Sequence, residues 1–198
     1  MIKLFKLLER NKNMNRTEIA IINSFWQLLE EKPYNKITVK NIVDLCQINR
    51  NTFYYHFQSI PELLERVLKQ EADDIIKNHN QFESVVDCLT PVIQSCLSRR
   101  KAFLNIYHSV ERDIFLNSLD RLTLYFVEKY INVLTEDLPI QPHDKSLLIR
   151  FYKSALVGIF LDWLDKNMSY DFVEAFSRIS NLFAGSSDRA LIRSTIKK

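Results

Sequence analysis

Only two glycines occur in a chain of 198 residues. Tight hairpins, bulges and phosphate-cradling loops draw on glycine for backbone conformations that other residues resist. A chain nearly without it is most simply built from helices joined by short polar breaks. Hydrophobic residues make up 46%, enough to form a core in one domain or two small ones. The expected class is all-α.

Charge and cysteines narrow the setting. Residues 1–70 carry a net charge of +4 and residues 71–198 carry −1, which together make the chain's +3. A basic front on a neutral back suits a head that meets nucleic acid. Cys46, Cys88 and Cys96 lack C-x-x-C spacing and have no histidine or acid nearby at ligand spacing. They read as reduced thiols in a cytoplasmic protein, and neither a metal nor another cofactor is expected. No apolar run approaches the ~18–20 residues that span a bilayer, so no membrane role is expected. The start, MIKLFKLLER, interleaves basic and apolar residues and has no cleavage site. Residues 1–13 read as a flexible extension and residues 186–198 as a flexible tail.

The front half carries the informative pattern. Ile19, Ile22, Phe25, Trp26 and Leu29 follow helical spacing, with Asn15 or Thr17 as the cap and Pro33 as the stop. Thr38 is placed to cap VKNIVDLC, whose Val39, Ile42, Val43 and Cys46 share a face. The residues QIN form a tight turn, Asn49 caps a second short helix, and Ile48 plugs the angle between the two. This is a helix-turn-helix pattern over residues 14–60. Gln47 stands where such turns often have glycine, which predicts modest strain. Ser59 and Glu62 form a capping box, with Pro61 in the first turn of a long helix striped by Leu63, Leu64, Val67 and Leu68. Amphipathic stretches follow near 81–98, 101–109, 111–135, 143–167 and 169–184, with Ser169 as a candidate cap. They make residues 61–185 a helical body.

The second short helix, within INRNTFYYHF, has two faces. Phe53 and Phe57 are four apart and belong to the head's core with Ile42 and Ile48. Arg50, Asn51, Tyr54 and Tyr55 fall on the other side. Arginine pairs bidentately with guanine and asparagine with adenine in the major groove. Tyrosine and histidine suit phosphate oxygens, which position without reading sequence. Thr38 and Lys40, at the start of the preceding helix, can offer backbone N–H and charge to a phosphate. An enzyme is not expected. There is no nucleophile elbow, Gly-rich phosphate loop or H-E-x-x-H, and His56, His79, His108 and His143 are scattered.

The segment ITVKNIVDLCQINRNTFYYHFQSIPELLERV resembles the DNA-binding head of the TetR family of bacterial transcription regulators. The family's recognition helix carries a T-hydrophobic-Y-aromatic-H-F run, and Thr52, Phe53, Tyr54, Tyr55, His56 and Phe57 match it in order. One departure is Ile60, where the family commonly has a phosphate-pairing lysine. The resemblance implies about nine helices: a three-helix DNA-binding head, then a ligand-sensing and dimerisation body. It implies a homodimer on double-stranded DNA at a palindromic operator, most often a repressor modulated by a small molecule. It puts Arg50, Asn51 and Thr52 nearest base edges, Tyr54 and His56 on phosphates, and Tyr55 near a groove wall. Candidate effector-lining groups are Phe103, Tyr107, His108, Tyr125, Phe126, Tyr130 and Tyr152. The segment FYKSALVGIFLDWLDKNMSYDFVEAFSRISNLF is similar to the family's paired last two helices. That similarity puts Ala155 and Gly158 at close approaches, with Phe160, Leu161, Trp163, Phe176 and Phe183 in the interface. An alternative is a partner-dependent coactivator of the same family, in which a protein replaces the small molecule.

Overall fold

Helices are the only extended regular elements among the described residues. The computed structural model describes residues 16–78, 85–136 and 138–183. Nine α-helices lie within them: α1 Arg16–Glu31, α2 Val39–Cys46, α3 Arg50–His56, α4 Ile60–Asn78, α5 Val85–Ser98, α6 Arg100–Tyr107, α7 Arg112–Leu134, α8 Pro142–Asp165 and α9 Phe172–Leu182. The expected extension and tail, Asn15, His79, Asp137, Gly185 and the side chain of Cys88 lie outside the described residues. Thr17 falls inside α1.

Helices α1 to α3 form the head. Pro33 ends α1's reach, because it has no N–H with which to continue the ladder, and a short 3₁₀ turn over Tyr34–Lys36 follows. Ile42 and Phe53 have no exposed surface, Phe57 and Val43 are buried, and Ile48 packs partly buried against them. The long helix α4 then leaves the head. Its start uses the predicted residues: Glu62 N donates to Ser59 Oγ at 3.3 Å, and Glu62 Oε2 accepts from Gln58 N at 2.7 Å. Ile60 packs partly buried against the core.

The body packs α4 against α7 and α7 against an antiparallel α8, tied by Lys153 Nζ to Asp120 Oδ1 at 2.6 Å. Helix α6 packs across α1, so head and body share one continuous core. That double burden shows in α1: Ile21, Leu28 and Ser24 are buried beside the expected Ile22, Phe25, Trp26 and Leu29, while Ile19 is only partly so. At the far end, Trp163 is fully buried among Phe160 and Phe172, its indole N–H bonded to Tyr170 O at 3.0 Å. The last cap is Asp171, which accepts from Glu174 N at 2.9 Å. Ser169, the expected cap, lies outside the helix in the turn. That turn holds two consecutive left-handed residues, Asn167 (φ 54°) and Met168 (φ 53°).

Candidate nucleic-acid interface

Helices α2 and α3 are too short to be stable alone, and both depend on capping side chains. Thr38 Oγ1 accepts from Asn41 N at 3.2 Å, and Asn41 Oδ1 accepts from Thr38 N at 3.1 Å. Asn49 Oδ1 accepts from Thr52 N at 2.8 Å. Between the two helices Gln47 is left-handed (φ 54°, ψ 43°), and its N–H and that of Ile48 both return to Val43 O. The two interlocking bonds close α2 and turn the chain sharply into α3.

This geometry divides α3 as its spacing predicts. Phe53 and Phe57 point inward with ring centroids 6.0 Å apart. Arg50 and Asn51 are exposed, as are Tyr54 (53%) and Tyr55 (84%). Such exposure is unusual for tyrosine and leaves two rings and two hydroxyls for a partner. His56 is partly buried, edge-on to Tyr55 at 5.1 Å. Thr52 is also partly buried. Its hydroxyl donates to Asn49 Oδ1 at 3.0 Å, so it faces outward as an acceptor with a methyl. One expected role needs correction. The capping box occupies both the backbone N–H and the hydroxyl proton of Thr38, the latter donated to Asn41 Oδ1 at 2.9 Å. The groups left for a phosphate there are the exposed Lys40 charge and the first-turn N–H groups of Val39 and Lys40, which no preceding turn can satisfy.

The body departs further from expectation. A cavity of about 40 Å³ lies between α4, α5, α7 and α8. Of the seven expected lining groups only Phe103 reaches it; its other walls include Leu68, Ala72, Ile75, Cys96 and Phe115. Phe126 is core, His108 is exposed, and Tyr125, Tyr130 and Tyr152 pack partly buried against the core. Tyr107 is buried, and its hydroxyl donates to Asp165 Oδ1 at 2.6 Å and accepts from Arg112. Burial and the Asp165 carboxylate push that phenol up from its ordinary value. Continuing the α4 stripe past Leu68 to Ala72 and Ile75 is the signal that would have found the cavity's main wall.

The expected dimer residues separate into two groups. Phe160, Trp163 and Phe176 are buried in the chain's own core, with at most 8% of their surface exposed, and have little to give a second subunit. Ala155 and Gly158 are exposed, Leu161 is partly buried and Phe183 is exposed. A Cβ added to Gly158 would meet nothing within 4 Å. Leu147 (47% exposed) and Phe151 (66%) extend the open side of α8 at four-residue spacing, 147–151–155. The same four-residue spacing is the sequence signal for that side of the helix.

Two family models match. Residues 21–67 match "Bacterial regulatory proteins, tetR family", and residues 83–185, over half the chain, match "Transcriptional regulator C-terminal region". The chain belongs to the TetR family. It is a DNA-binding transcription regulator rather than an enzyme. A relative in Lactococcus lactis subsp. lactis (strain IL1403), the HTH-type dhaKLM operon transcriptional activator DhaS, is 24% identical over 173 residues, 84% of this chain and 88% of that protein. Solved structures share the TetR-family fold. The dihydroxyacetone kinase operon activator DhaS superposes with a TM-score of 0.71 at 20% identity, covering 86% of this chain and 96% of that one. The fatty acid degradation regulator FadR from Bacillus halodurans gives 0.58 at 17%, covering 88% and 97%. NalD, the secondary repressor of the MexAB-OprM efflux pump in Pseudomonas aeruginosa, gives 0.57 at 18%, covering 92% and 98%. Among the described residues of this TetR-family regulator, no helix is long and apolar enough to cross a membrane.

Proposed function

We propose that the chain binds a palindromic operator as a homodimer, with α3 of each subunit in successive major grooves roughly 34–36 Å apart. The observation that carries this reading is the division of α3: two phenylalanines hold the helix in the head while Arg50, Asn51, Tyr54 and Tyr55 stand outside. In the proposed complex Arg50, Asn51 and Thr52 read base edges, Thr52 through its lone pairs and methyl. Tyr54, His56 and Lys40 hold phosphates, and Tyr55 lies along a groove wall. The homodimer forms through the open side of α8 around Leu147, Phe151, Ala155 and Gly158, joined by Leu161 and Phe183.

We propose repression as the regulatory direction, relieved by a small effector in the body. Activation is the second reading, and one observation favours it: the relative aligned over most of this chain is named an activator. The size of the cavity favours the associated alternative of a protein partner. Direction depends on where the operator lies relative to the promoter. Deleting the gene and following transcripts from its neighbours decides it: a rise supports repression, a fall activation.

The DNA reading is tested by titrating purified protein against upstream fragments at several salt concentrations. Saturable binding that falls steeply with salt and exceeds that to random DNA supports it. Weak, sequence-independent binding that tightens only when cell extract is added supports partner dependence instead.

A further inference from the structure

Helix α6 has eight residues, yet polar bonds tie it to three other helices or their ends. Its attachment to the head begins with a proline. The carbonyl of Leu29 would ordinarily accept from the N–H four residues on, but that residue is Pro33. Asn105 Nδ2 supplies the missing donor, reaching Leu29 O at 2.8 Å and Lys32 O at 3.2 Å. The head returns the service. Arg99, the N-cap of α6, makes no side-chain cap, and Glu30 Oε1 of α1 accepts from Ala102 N at 3.2 Å in its place. Each helix therefore caps the other's open end.

The other attachments run away from the head. Arg100 donates to Asn167 O just past α8, and Tyr107 bonds Asp165 in the last turn of α8. Just before α6, Arg99 pairs with Glu71 of α4 at 3.1 Å and lies over Trp26 of α1, 4.6 Å from its centroid. Apolar packing alone, such as Trp26 on Phe103, is non-directional and tolerates rotation. Hydrogen bonds at both ends of a short helix restrict it.

We propose that α6 is a strut that fixes the head's angle to the α8 face, with Asn105 and Glu30 as positioning residues for operator recognition. The consequence for DNA rests on the homodimer-on-palindrome reading. A head that swings by one base-pair step, ~3.4 Å, leaves its register on the operator. Neither Asn105 nor Glu30 contacts DNA in this arrangement; each acts through α1.

The test uses the full chain and the variants Asn105→Ala, Asn105→Asp and Glu30→Ala. Asn105→Asp keeps the shape and replaces a donor by an acceptor facing two carbonyls. Spin labels at exposed residues 40 and 150, introduced by non-cysteine chemistry and diluted with unlabelled protein, report the head-to-α8 distance within one chain. All measurements are made well below each variant's melting point. The wild type should give one narrow distance and the variants a clearly broadened one. An unchanged width in both Asn105→Ala and Glu30→Ala overturns the strut. On DNA, operators with one base pair added or removed between half-sites are compared. The variants should lose about fivefold or more of the preference for the best spacing, as expected for losing directional bonds, while base preference within each half-site stays the same. A spacing preference that survives a broadened distance also overturns the proposal. A wild type indifferent to spacing refutes the palindrome reading instead, and the distance measurement still decides the strut.

Discussion

Replacing Gln47 by glycine should stabilise this regulator at the turn that aims its recognition helix. Gln47 is exposed and left-handed, at φ 54° and ψ 43°. A residue with a Cβ in that region costs roughly 1–2 kcal/mol. Glycine avoids the cost but surrenders more freedom on folding, about 0.5–1 kcal/mol. The balance favours Gln47→Gly by about 0.5–1 kcal/mol. In a chain of this size 1 kcal/mol shifts Tm by about 2–4 °C, so a rise of about 1–4 °C is expected. Thermal melts at fixed protein concentration, with urea midpoints as a second probe, measure it. Gln47→Ala is the control: it keeps the Cβ and should stay within about 0.5 kcal/mol of the parent. A glycine variant that melts with or below the alanine variant would refute the reasoning, because the gain comes only from relieving the backbone.

Arg50→Ala should relax specificity at one base pair with a loss of ~1–3 kcal/mol, read by binding to single-position operator variants; equal loss on every sequence contradicts a base contact. Tyr54→Phe should weaken binding almost uniformly across sequences, and a strongly sequence-dependent effect would move Tyr54 to a base edge. Phe151→Glu and Gly158→Leu should each shift the protein towards monomer in analytical ultracentrifugation; a dimer indifferent to both would place the interface off α8. Burial, reinforced by Glu71, pushes the Cys96 thiol above its ordinary value of 9.0. The folded state therefore keeps that proton while the unfolded chain releases it, and stability should decline as pH rises past about 9. Urea midpoints at pH 8 and pH 10 for the parent and Cys96→Ala test this, and an equal decline in both would assign the loss to other groups.

The helices were readable because their apolar residues repeat at helical spacing and their ends carry Thr38, Asn49 and Ser59 in capping positions. The two faces of α3 followed from the same geometry: a residue four positions from Phe53 must share its side. The body was legible as helices and much less so as contacts. Nothing local distinguishes an aromatic that faces a neighbour in the same chain from one that faces a second subunit. Phe160, Trp163 and Phe176 read as interface residues, but α9 packs against α5 and its Phe172 lies against Phe160 and Trp163, which closes all three into the chain's own core. The role of α6 was hidden for the same reason. Asn105 caps α1 across more than seventy residues of sequence, and only the fold brings the two together.

The cavity beside Phe103 has a kinetic consequence. About 40 Å³ holds two or three waters by the usual measure, far short of the roughly 300 Å³ of a drug-sized site. An effector of that size held in this cavity must enter a form of the body in which its walls have parted. Its apparent affinity is then reduced by the fraction of molecules open at a given moment. If opening precedes entry, the observed rate of binding should level off as effector concentration rises, at a ceiling set by how often the walls part. Substitutions that enlarge the cavity, such as Leu68→Ala, should raise that ceiling even if they touch no part of the bound molecule.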